Sequence, residues 1–128
     1  ETAAPLAPST ANVVTSTVAY NADGLPTVMV DAVGTASEAT TSFVYDSVHR
    51  EDLVEVIDGR AKHWGYVYDP ASGDVVEAVD PMGGRSTMSY NNIGWLNTVV
   101  APKGNLAGAT PALWATSLEH DDWGRVTG

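Results

Sequence analysis

The densest group of potential metal ligands in the sequence is the run Glu119-His120-Asp121-Asp122. Hard cations take carboxylate oxygens as ligands, but side chains that are adjacent in a strand point to opposite faces. We therefore interpret this run as a turn with an acidic surface. Asn21-Ala22-Asp23-Gly24 is also interpreted as a turn, because the spaced third ligand and the distal glutamate of an EF-hand loop are missing. The sequence predicts neither a metal nor another cofactor.

The side chains that could act as general bases near neutral pH are His49, His63 and His120. No Gly-x-Ser-x-Gly elbow or other nucleophile motif accompanies them. The sixteen acidic residues could include a glycosidase pair, but a sequence does not place two carboxylates across a sugar. We predict no catalytic residues and no enzymatic activity.

The sequence contains one phenylalanine and four tryptophans, which are Trp64, Trp95, Trp114 and Trp123. An indole packed on a sheet buries a large apolar surface, whereas an exposed indole can stack on a sugar. We favour packing in the sheet or at an interface, because large aromatic side chains dominate the buried surface of small β structures. Contact with a glycan ligand is the alternative for these four aromatic residues.

The elements that carry these side chains follow a repeat. A tyrosine followed by an acid or amide occurs at Tyr20-Asn21, Tyr45-Asp46, Tyr68-Asp69 and Tyr90-Asn91, with His120-Asp121 as a degenerate fifth copy. The tyrosines of the first four pairs are 25, 23 and 22 residues apart. A period of this size indicates repeated supersecondary units.

Each unit predicts a β-hairpin. A short apolar strand ends at the tyrosine, Asp or Asn starts an Asx turn, and a glycine with positive φ completes it. A hydrophobic return strand then leads to a second turn, which Asp80-Pro81-Met82-Gly83 represents best. Recurrent tyrosines are expected to form a ladder across adjacent strands, with each hydroxyl finding a partner near a strand end. The fold class predicted is all-β: repeated antiparallel β-hairpins in a twisted sheet.

The composition of the chain indicates how it divides into segments and which classes of partner it disfavours. Residues 1–12 are rich in Ala, Pro, Ser and Thr and predict a linker or arm, whereas residues 13–128 hold about four and a half repeats, the last one truncated. Hydrophobic residues make up 44% of the chain, which excludes a disordered tail. A net charge of −10 disfavours binding to nucleic acid and to anionic lipid, because both are negatively charged. No apolar run is long enough for a membrane span, and no secretory signal opens the sequence.

The order Tyr-Asp-x-x-Gly, hydrophobic return, Asp-Pro-x-Gly resembles the YD-repeat, or RHS-repeat, family over about residues 17–128. The residues of the structural repeat motif are Tyr20, Asn21, Gly24, Tyr45, Asp46, Tyr68, Asp69, Gly73, Asp80, Pro81, Gly83, Tyr90, Asn91, Gly94, Asp121 and Gly124. The second copy departs from the motif, with Val48-His49-Arg50 where a turn glycine is expected, and residues 105–115 insert extra sequence before the last copy.

The resemblance implies a fragment of a large secreted or cell-surface protein of the bacterial RHS type. Repeats of this family form a spiralling β-shell, which in polymorphic toxin systems encloses a toxic C-terminal domain. The implied function is a non-catalytic scaffold whose partners are the rest of the shell or the enclosed domain. Open sheet edges also predict self-association. A glycan- or receptor-binding adhesion module is the alternative. Because Gly84 replaces the leucine of the family's self-cleavage pattern, Asp80-Pro81-Met82-Gly83 is interpreted as an internal turn.

Overall fold

The structure is a computed structural model that describes residues 14–128. It contains one antiparallel sheet of nine strands, each hydrogen-bonded to the strands that precede and follow it in sequence. The predicted arm at residues 1–12 lies outside the described residues, as does Val13. The strands are β1 (Thr17–Tyr20), β2 (Pro26–Asp31), β3 (Ala39–Tyr45), β4 (Leu53–Ile57), β5 (His63–Tyr68), β6 (Val75–Val79), β7 (Arg85–Tyr90), β8 (Leu96–Val100) and β9 (Ala115–Ser117). The predicted all-β class of antiparallel hairpins is confirmed.

Successive strands form a meander, so their loops alternate between the two ends of the sheet. The loops that follow the tyrosines, together with the loop at residues 121–125, lie at one end, which we call the tyrosine end. After β9 the chain makes one more turn there, because His120 forms a bridge with Val126 and Thr127 N–H donates to the Glu119 carbonyl at 2.8 Å. The loops at the opposite end, the far end, comprise residues 32–38, 58–62, 80–84 and 101–114.

The register of the strands assigns their side chains to two faces, because residues directly opposite each other share a face and alternate residues do too. One face carries the pairs Phe43↔Val56, Val56↔Trp64 and Tyr66↔Ala78. We call it the aromatic face. The other face carries Glu55, His63, Glu77 and Arg85, and we call it the charged face.

A single sheet does not enclose a core. Among residues 14–128, no hydrophobic side chain is fully buried, and most residues of the central strands are half-buried. Cross-strand neighbours within each face provide the apolar contacts. The sheet therefore depends on hydrogen-bonded ladders, turns and same-face pairs, which are the usual sources of stability in a β-sheet.

Residues 101–114 form the longest far-end loop. This loop contains two 3₁₀ turns, Pro102–Asn105 and Pro111–Trp114. Gly104 is buried between Val100 and Trp114, where a Cβ atom would lie 2.6 Å from Val100 Cγ1 and 2.9 Å from Trp114 Cβ. The loop therefore folds back against the end of β8 and leads the chain into β9, a strand that the sequence did not predict.

The two 3₁₀ turns are four residues long each. No helix within residues 14–128 has the length and apolar character needed to cross a membrane.

Candidate functional site

The repeat motif is the densest set of recurring polar side chains, and its Asp and Asn residues form Asx turns. Five loops of five residues share one hydrogen-bonding scheme: Asn21–Leu25, Asp58–Lys62, Asp80–Gly84, Asn91–Trp95 and Asp121–Arg125. In each loop the first N–H donates to the last carbonyl, and the fourth N–H donates to the first carbonyl. The first side-chain Oδ1 accepts from the third and fifth N–H groups at 2.8–3.1 Å.

The fourth residue of this loop has a positive φ in all five cases. Glycine occupies the position at Gly24, Gly83, Gly94 and Gly124, with φ from 78° to 84°, and Ala61 occupies it with φ 55°. The left-handed region is open to glycine and costs an L side chain energy because Cβ approaches the carbonyl oxygen. The sequence does not mark Asp58 and Ala61 as motif residues, because the glycine of this loop is Gly59, at the second position instead of the fourth. The 22-residue step from Asp58 to Asp80 was the available signal.

Two tyrosine-end loops are longer than five residues. In these loops the carboxylate accepts from the N–H groups two and three residues later, instead of two and four. Asp69 Oδ1 accepts from the Ala71 and Ser72 N–H groups at 2.9 and 2.8 Å. Gly73 follows with φ 78°. In the second copy, Asp46 Oδ1 accepts from Val48 and His49 N–H at 2.7 and 2.6 Å. The loop at Asp46, which has no glycine, thus keeps the Asx hydrogen bonds. It spans one residue more than the loop at Asp69 before the chain pairs again.

These hydrogen bonds lower the pKa of four of the turn carboxyl groups. The pKa of Asp46 is lowered chiefly by the His49 N–H, that of Asp58 by the Lys62 N–H, and that of Asp69 by the Ser72 N–H. The pKa of Asp121 is lowered chiefly by the Arg125 N–H. A backbone donor aimed at a carboxylate stabilises the charged form. The shifts therefore reflect turn geometry.

The tyrosine hydroxyls join each hairpin to the one before it. Tyr45 donates to the Pro26 carbonyl at 2.8 Å, Tyr68 to Leu53 at 2.8 Å, and Tyr90 to Val75 at 2.7 Å. Each acceptor is the first residue of the preceding return strand. The tyrosines occupy alternate strands, so the predicted ladder across adjacent strands is wrong in that detail: its rungs are hydroxyl-to-carbonyl bonds.

The four hairpins share an irregularity in strand pairing at the tyrosine, where the return strand has one extra residue. The register shifts immediately before Tyr20, Tyr45, Tyr68 and Tyr90. A β-bulge of this kind bends the bulged strand locally and increases its twist. Partial burial raises the pKa of Tyr68 and of Tyr90 above the ordinary value, so both hydroxyls hold their protons more firmly as donors.

The ladder changes at its two ends. Tyr20 is 62% exposed, and its hydroxyl has no hydrogen-bond partner within residues 14–128. At the fifth copy His120 replaces tyrosine and packs on Trp95, with ring centroids 5.4 Å apart and ring planes inclined by 46°. Gly124 lies against the same indole, since a Cβ on Gly124 would be 2.9 Å from Trp95 Cζ2. The indole of Trp95 therefore packs against both His120 and Gly124 at the last tyrosine-end loop.

The four tryptophans lie in four separate elements. Trp64 is half-buried in β5 on the aromatic face, and Trp95 is half-buried beside His120. Trp114 ends the second 3₁₀ turn, with Lys103 Nζ 5.2 Å from its ring centroid. Trp123 is 79% exposed, with Arg125 Cζ 5.3 Å from its ring centroid. The structure therefore does not bring the four indoles together.

The histidines and acids are also spread over the sheet. His63 Nδ1 lies 2.6 Å from Glu55 Oε1 on the charged face, and His49 Nδ1 lies 3.8 Å from Asp46 Oδ1 at the tyrosine end. His120 faces Trp95. Within residues 14–128, no three His, Asp or Glu side chains are grouped so that they could hold a metal ion. The run Glu119-His120-Asp121-Asp122 leads into an Asx turn in which Asp121 accepts its N–H bonds.

Asp80-Pro81-Met82-Gly83 forms a far-end hairpin loop between β6 and β7. The Asp80 carboxylate accepts from the Met82 and Gly84 N–H groups at 2.8 and 2.9 Å.

Asn105 is a structural residue that the sequence did not reveal. Its Nδ2 donates to the Arg85 carbonyl at 2.7 Å, and its Oδ1 accepts from Thr87 Oγ1 at 3.2 Å. These bonds attach the 101–114 loop to β7, which is two strands away from β9. A single asparagine in an inserted segment carries no repeat signal, so only its position in space identifies the role.

Comparison with models of protein families gives no match, and comparison with curated proteins gives none either.

Proposed function

We propose that this chain is a non-catalytic structural repeat module of an RHS-type protein. Its hairpins form part of a β-shell that encloses or presents another domain, such as a toxin, in a secreted or cell-surface protein. The observation that carries the proposal is the use of the motif residues: Asx side chains close the turns, and tyrosines join successive hairpins. Because the motif residues connect one hairpin to the next, repeating the motif extends the sheet.

The aromatic face of the sheet supports an enclosing role. Phe43, Trp64 and Tyr66 lie on the aromatic face, and they are half-buried in a sheet that has no second layer within residues 14–128. A broad apolar face on a single layer is suited to contact with other protein segments. The partners proposed are accordingly the rest of the shell or the enclosed domain.

The distribution of ionisable groups supports a non-catalytic role. A general base must lie within hydrogen-bond reach of its nucleophile or substrate proton. His49, His63 and His120 are in different elements, and the first two face carboxylates of their own hairpins or neighbouring strands.

Limited proteolysis of the parent protein tests the enclosing role. Gly83→Val places a β-branched side chain at φ 83°, which should open the far-end turn and increase protease cleavage of the adjoining domain. Met82→Ala is the matched control, because Met82 is 96% exposed in the same loop. Equal cleavage of the adjoining domain in both variants and the natural protein, despite loss of the β6–β7 turn in Gly83→Val, would contradict enclosure.

The exposed Trp123 favours a second candidate function, an adhesion module that binds a glycan. Its indole is available at the tyrosine end, with Asp122 next to it. Aromatic rings that remain in contact with water can stack on sugars and supply a hydrogen-bond donor. Titration with oligosaccharides should quench the tryptophan fluorescence of the natural chain, and Trp123→Ala should lose the response. No response to any oligosaccharide at millimolar concentration would exclude this candidate.

A further inference from the structure

The joints between successive hairpins open into grooves at the tyrosine end. The ladders that join one hairpin to the next stop at the pairs Val28↔Ser42, Glu55↔Gly65 and Glu77↔Thr87. Beyond these pairs, the last three residues of each tyrosine strand line a groove: residues 43–45, 66–68 and 88–90. Each groove is also lined by the extra residue of a bulged return strand, which is Thr27, Val54 or Val76. The bulge and the end of the ladder therefore create the same groove at three joints.

We number these grooves 1, 2 and 3 from the β1 side. Their volumes are about 320, 290 and 460 Å³. Apolar side chains of the aromatic face line them, with Phe43 in groove 1, Tyr66 in groove 2 and Met88 in groove 3. Loops of this chain bound each groove on both sides, so strands added at either edge of the sheet would extend the row without covering it.

Each groove also contains two aspartates above its apolar residues. The pairs are Asp23 and Asp46 in groove 1, Asp46 and Asp52 in groove 2, and Asp69 and Asp74 in groove 3.

The chain itself places a cation in the first groove. Arg50 lines groove 1, and its Nη2 lies 2.8 Å from Asp23 Oδ2. Among residues 14–128, no basic residue lines groove 3. Arginine and lysine pack their aliphatic stems on apolar surface while the charged group stays in contact with water. Carboxylates above an apolar surface therefore suit such a side chain, and the net charge of −10 attracts it.

The distance between the grooves indicates the conformation of a ligand that spans them. Neighbouring grooves are two strands apart, which corresponds to about 9.4–9.8 Å. A polyproline II helix has three residues per turn and a rise of about 3.1 Å, so every third residue recurs on one side after about 9.3 Å. An extended β-strand presents alternate residues on one side about 6.4–6.8 Å apart. The polyproline II helix matches the row, whereas the β-strand does not.

We propose that grooves 1–3 bind a basic peptide segment of a partner protein in the polyproline II conformation. The segment lies across the strands and places an arginine or lysine into successive grooves at every third residue. Each cation pairs with the aspartates of its groove, and its stem packs on the apolar side chains below them. Aromatic-lined grooves recognise polyproline II segments in this manner because the ligand is already extended before binding. The inference goes beyond the scaffold role, since it holds whether or not the sheet encloses a domain.

Nuclear magnetic resonance titration of the natural chain with two synthetic nonapeptides tests the spacing. The first peptide consists of three Arg-Pro-Pro units, and the second has the same composition with its arginines at positions one, three and five. The first should bind more tightly and shift the amide signals of residues 43–45, 66–68 and 88–90. Added salt should weaken the binding by screening the charges.

The outcomes of this titration are distinct. Equal affinity for the two peptides, shifts confined to other residues, or no binding of either peptide would overturn the proposal and leave the scaffold role unaffected. A response of the same amides to a neutral oligosaccharide, without a response to either peptide, would assign the grooves to a glycan and also overturn it.

Asp69→Asn tests the carboxylates of groove 3. It removes one charge and keeps the acceptor of the Asx turn, and it should raise the dissociation constant of the Arg-Pro-Pro peptide about two- to fivefold, the effect of one exposed charge pair. Asp80→Asn is the matched control, because it makes the same change in an Asx turn at the far end. Equal dissociation constants in the two variants would mean that only net charge matters, which would contradict binding in the grooves.

Arg50→Gln tests the cation already present in groove 1. Removing the guanidinium frees Asp23 for the ligand, so the dissociation constant of the Arg-Pro-Pro peptide should fall about two- to fivefold. Arg60→Gln changes the net charge equally but lies in the far-end loop at residues 58–62. An unchanged dissociation constant in Arg50→Gln, or the same decrease in both variants, would overturn the placement of a ligand cation in groove 1.

Discussion

At the fourth position of the five-residue loops, the backbone itself determines which residue is tolerated. Four of these loops have glycine there, and Ala61 occupies the position with the smallest of the five positive φ values, 55°. An alanine in the left-handed region costs about 1–2 kcal/mol. Glycine is therefore favoured by the turn rather than by a ligand.

Gly94→Ala and Gly124→Ala separate backbone strain from side-chain contact. Both residues have a positive φ, and a Cβ at Gly94 would meet no atom within 4 Å, whereas one at Gly124 would lie 2.9 Å from Trp95. We expect Gly94→Ala to lower the free energy of unfolding by about 1 kcal/mol, and Gly124→Ala to lower it by about 2–4 kcal/mol because overpacking adds to strain. Urea unfolding measures the difference. Equal losses would show that the indole moves aside freely.

The Asx carboxylates predict a loss of stability in acid. The folded-state pKa values of Asp46, Asp58, Asp69 and Asp121 are lowered by backbone N–H donors. A lowered folded pKa contributes stability that is present above the unfolded pKa, about 4 for aspartate, and is lost as the pH falls through the folded pKa. The free energy of unfolding should therefore change little from these groups near neutral pH and fall below about pH 4.

Asp69→Asn/Asp121→Asn tests this origin, because asparagine keeps the acceptor without the titration, as it does at Asn21 and Asn91. The decrease in the urea midpoint between about pH 7 and about pH 3 should be smaller in this variant than in the natural chain. Asp122→Asn removes a neighbouring charge without removing an Asx carboxylate. An identical decrease in all three proteins would refute the assignment.

At the scale of strands and loops, the ladder predicts unequal roles for the tyrosines. Tyr68→Phe and Tyr90→Phe each remove a hydroxyl bonded within the chain, at 2.8 and 2.7 Å. Each should lower the free energy of unfolding by about 1–2 kcal/mol, because a half-buried carbonyl also loses its partner.

Tyr20→Phe is the matched control for the ladder. Its hydroxyl has no partner within residues 14–128, so the change in unfolding free energy should stay within about 0.5 kcal/mol at protein concentrations too low for self-association. Denaturant unfolding followed by circular dichroism compares the three variants. A loss for Tyr20→Phe as large as for Tyr68→Phe would contradict the ladder.

The 101–114 loop depends on one side chain. Asn105→Ala removes the donor to the Arg85 carbonyl and the acceptor of the Thr87 hydroxyl, and should cost about 1–3 kcal/mol. Hydrogen exchange at the amides of β7 and β9 should accelerate. Leu106→Ala is the control in the same loop, because Leu106 is 66% exposed. Comparable acceleration in both variants would show that Asn105 has no special role.

For the whole molecule, charge repulsion acts on a sheet without an enclosed core. Sixteen acidic and six basic side chains give −10. In the ion pairs Glu77–Arg85 and Asp23–Arg50 the arginine is exposed and the carboxylate is partly exposed. Exposed pairs contribute about 0–1 kcal/mol each. Repulsion should therefore dominate the response to salt.

Raising the ionic strength from about 0.01 M to about 0.15 M shortens the screening length from about 30 Å to about 8 Å. We expect the thermal midpoint of unfolding to rise over this range. Glu77→Gln removes a paired acid and should lower the size of the rise only slightly. A midpoint that falls with salt would mean that the ion pairs outweigh the repulsion.

The strands from β1 to β8 could be predicted from the sequence because each depends on neighbours within about ten residues: alternating side chains, an Asx residue and a glycine. The loop at residues 58–62 has alanine instead of glycine at its fourth position, so its sequence does not match the motif loop. Strand β9 follows an inserted segment without the motif.

The local turns and the all-β class were determined by the sequence itself, because Asx hydrogen bonds and positive φ values involve residues at most four apart. The acceptors of the tyrosines were not, because they lie 15 or 19 residues earlier, across a strand whose register depends on the bulges. The attachment of Asn105 to β7 is equally remote, at a separation of 20 residues from Arg85. Contacts of this kind arise only when strands pair, since pairing sets which carbonyl each side chain meets.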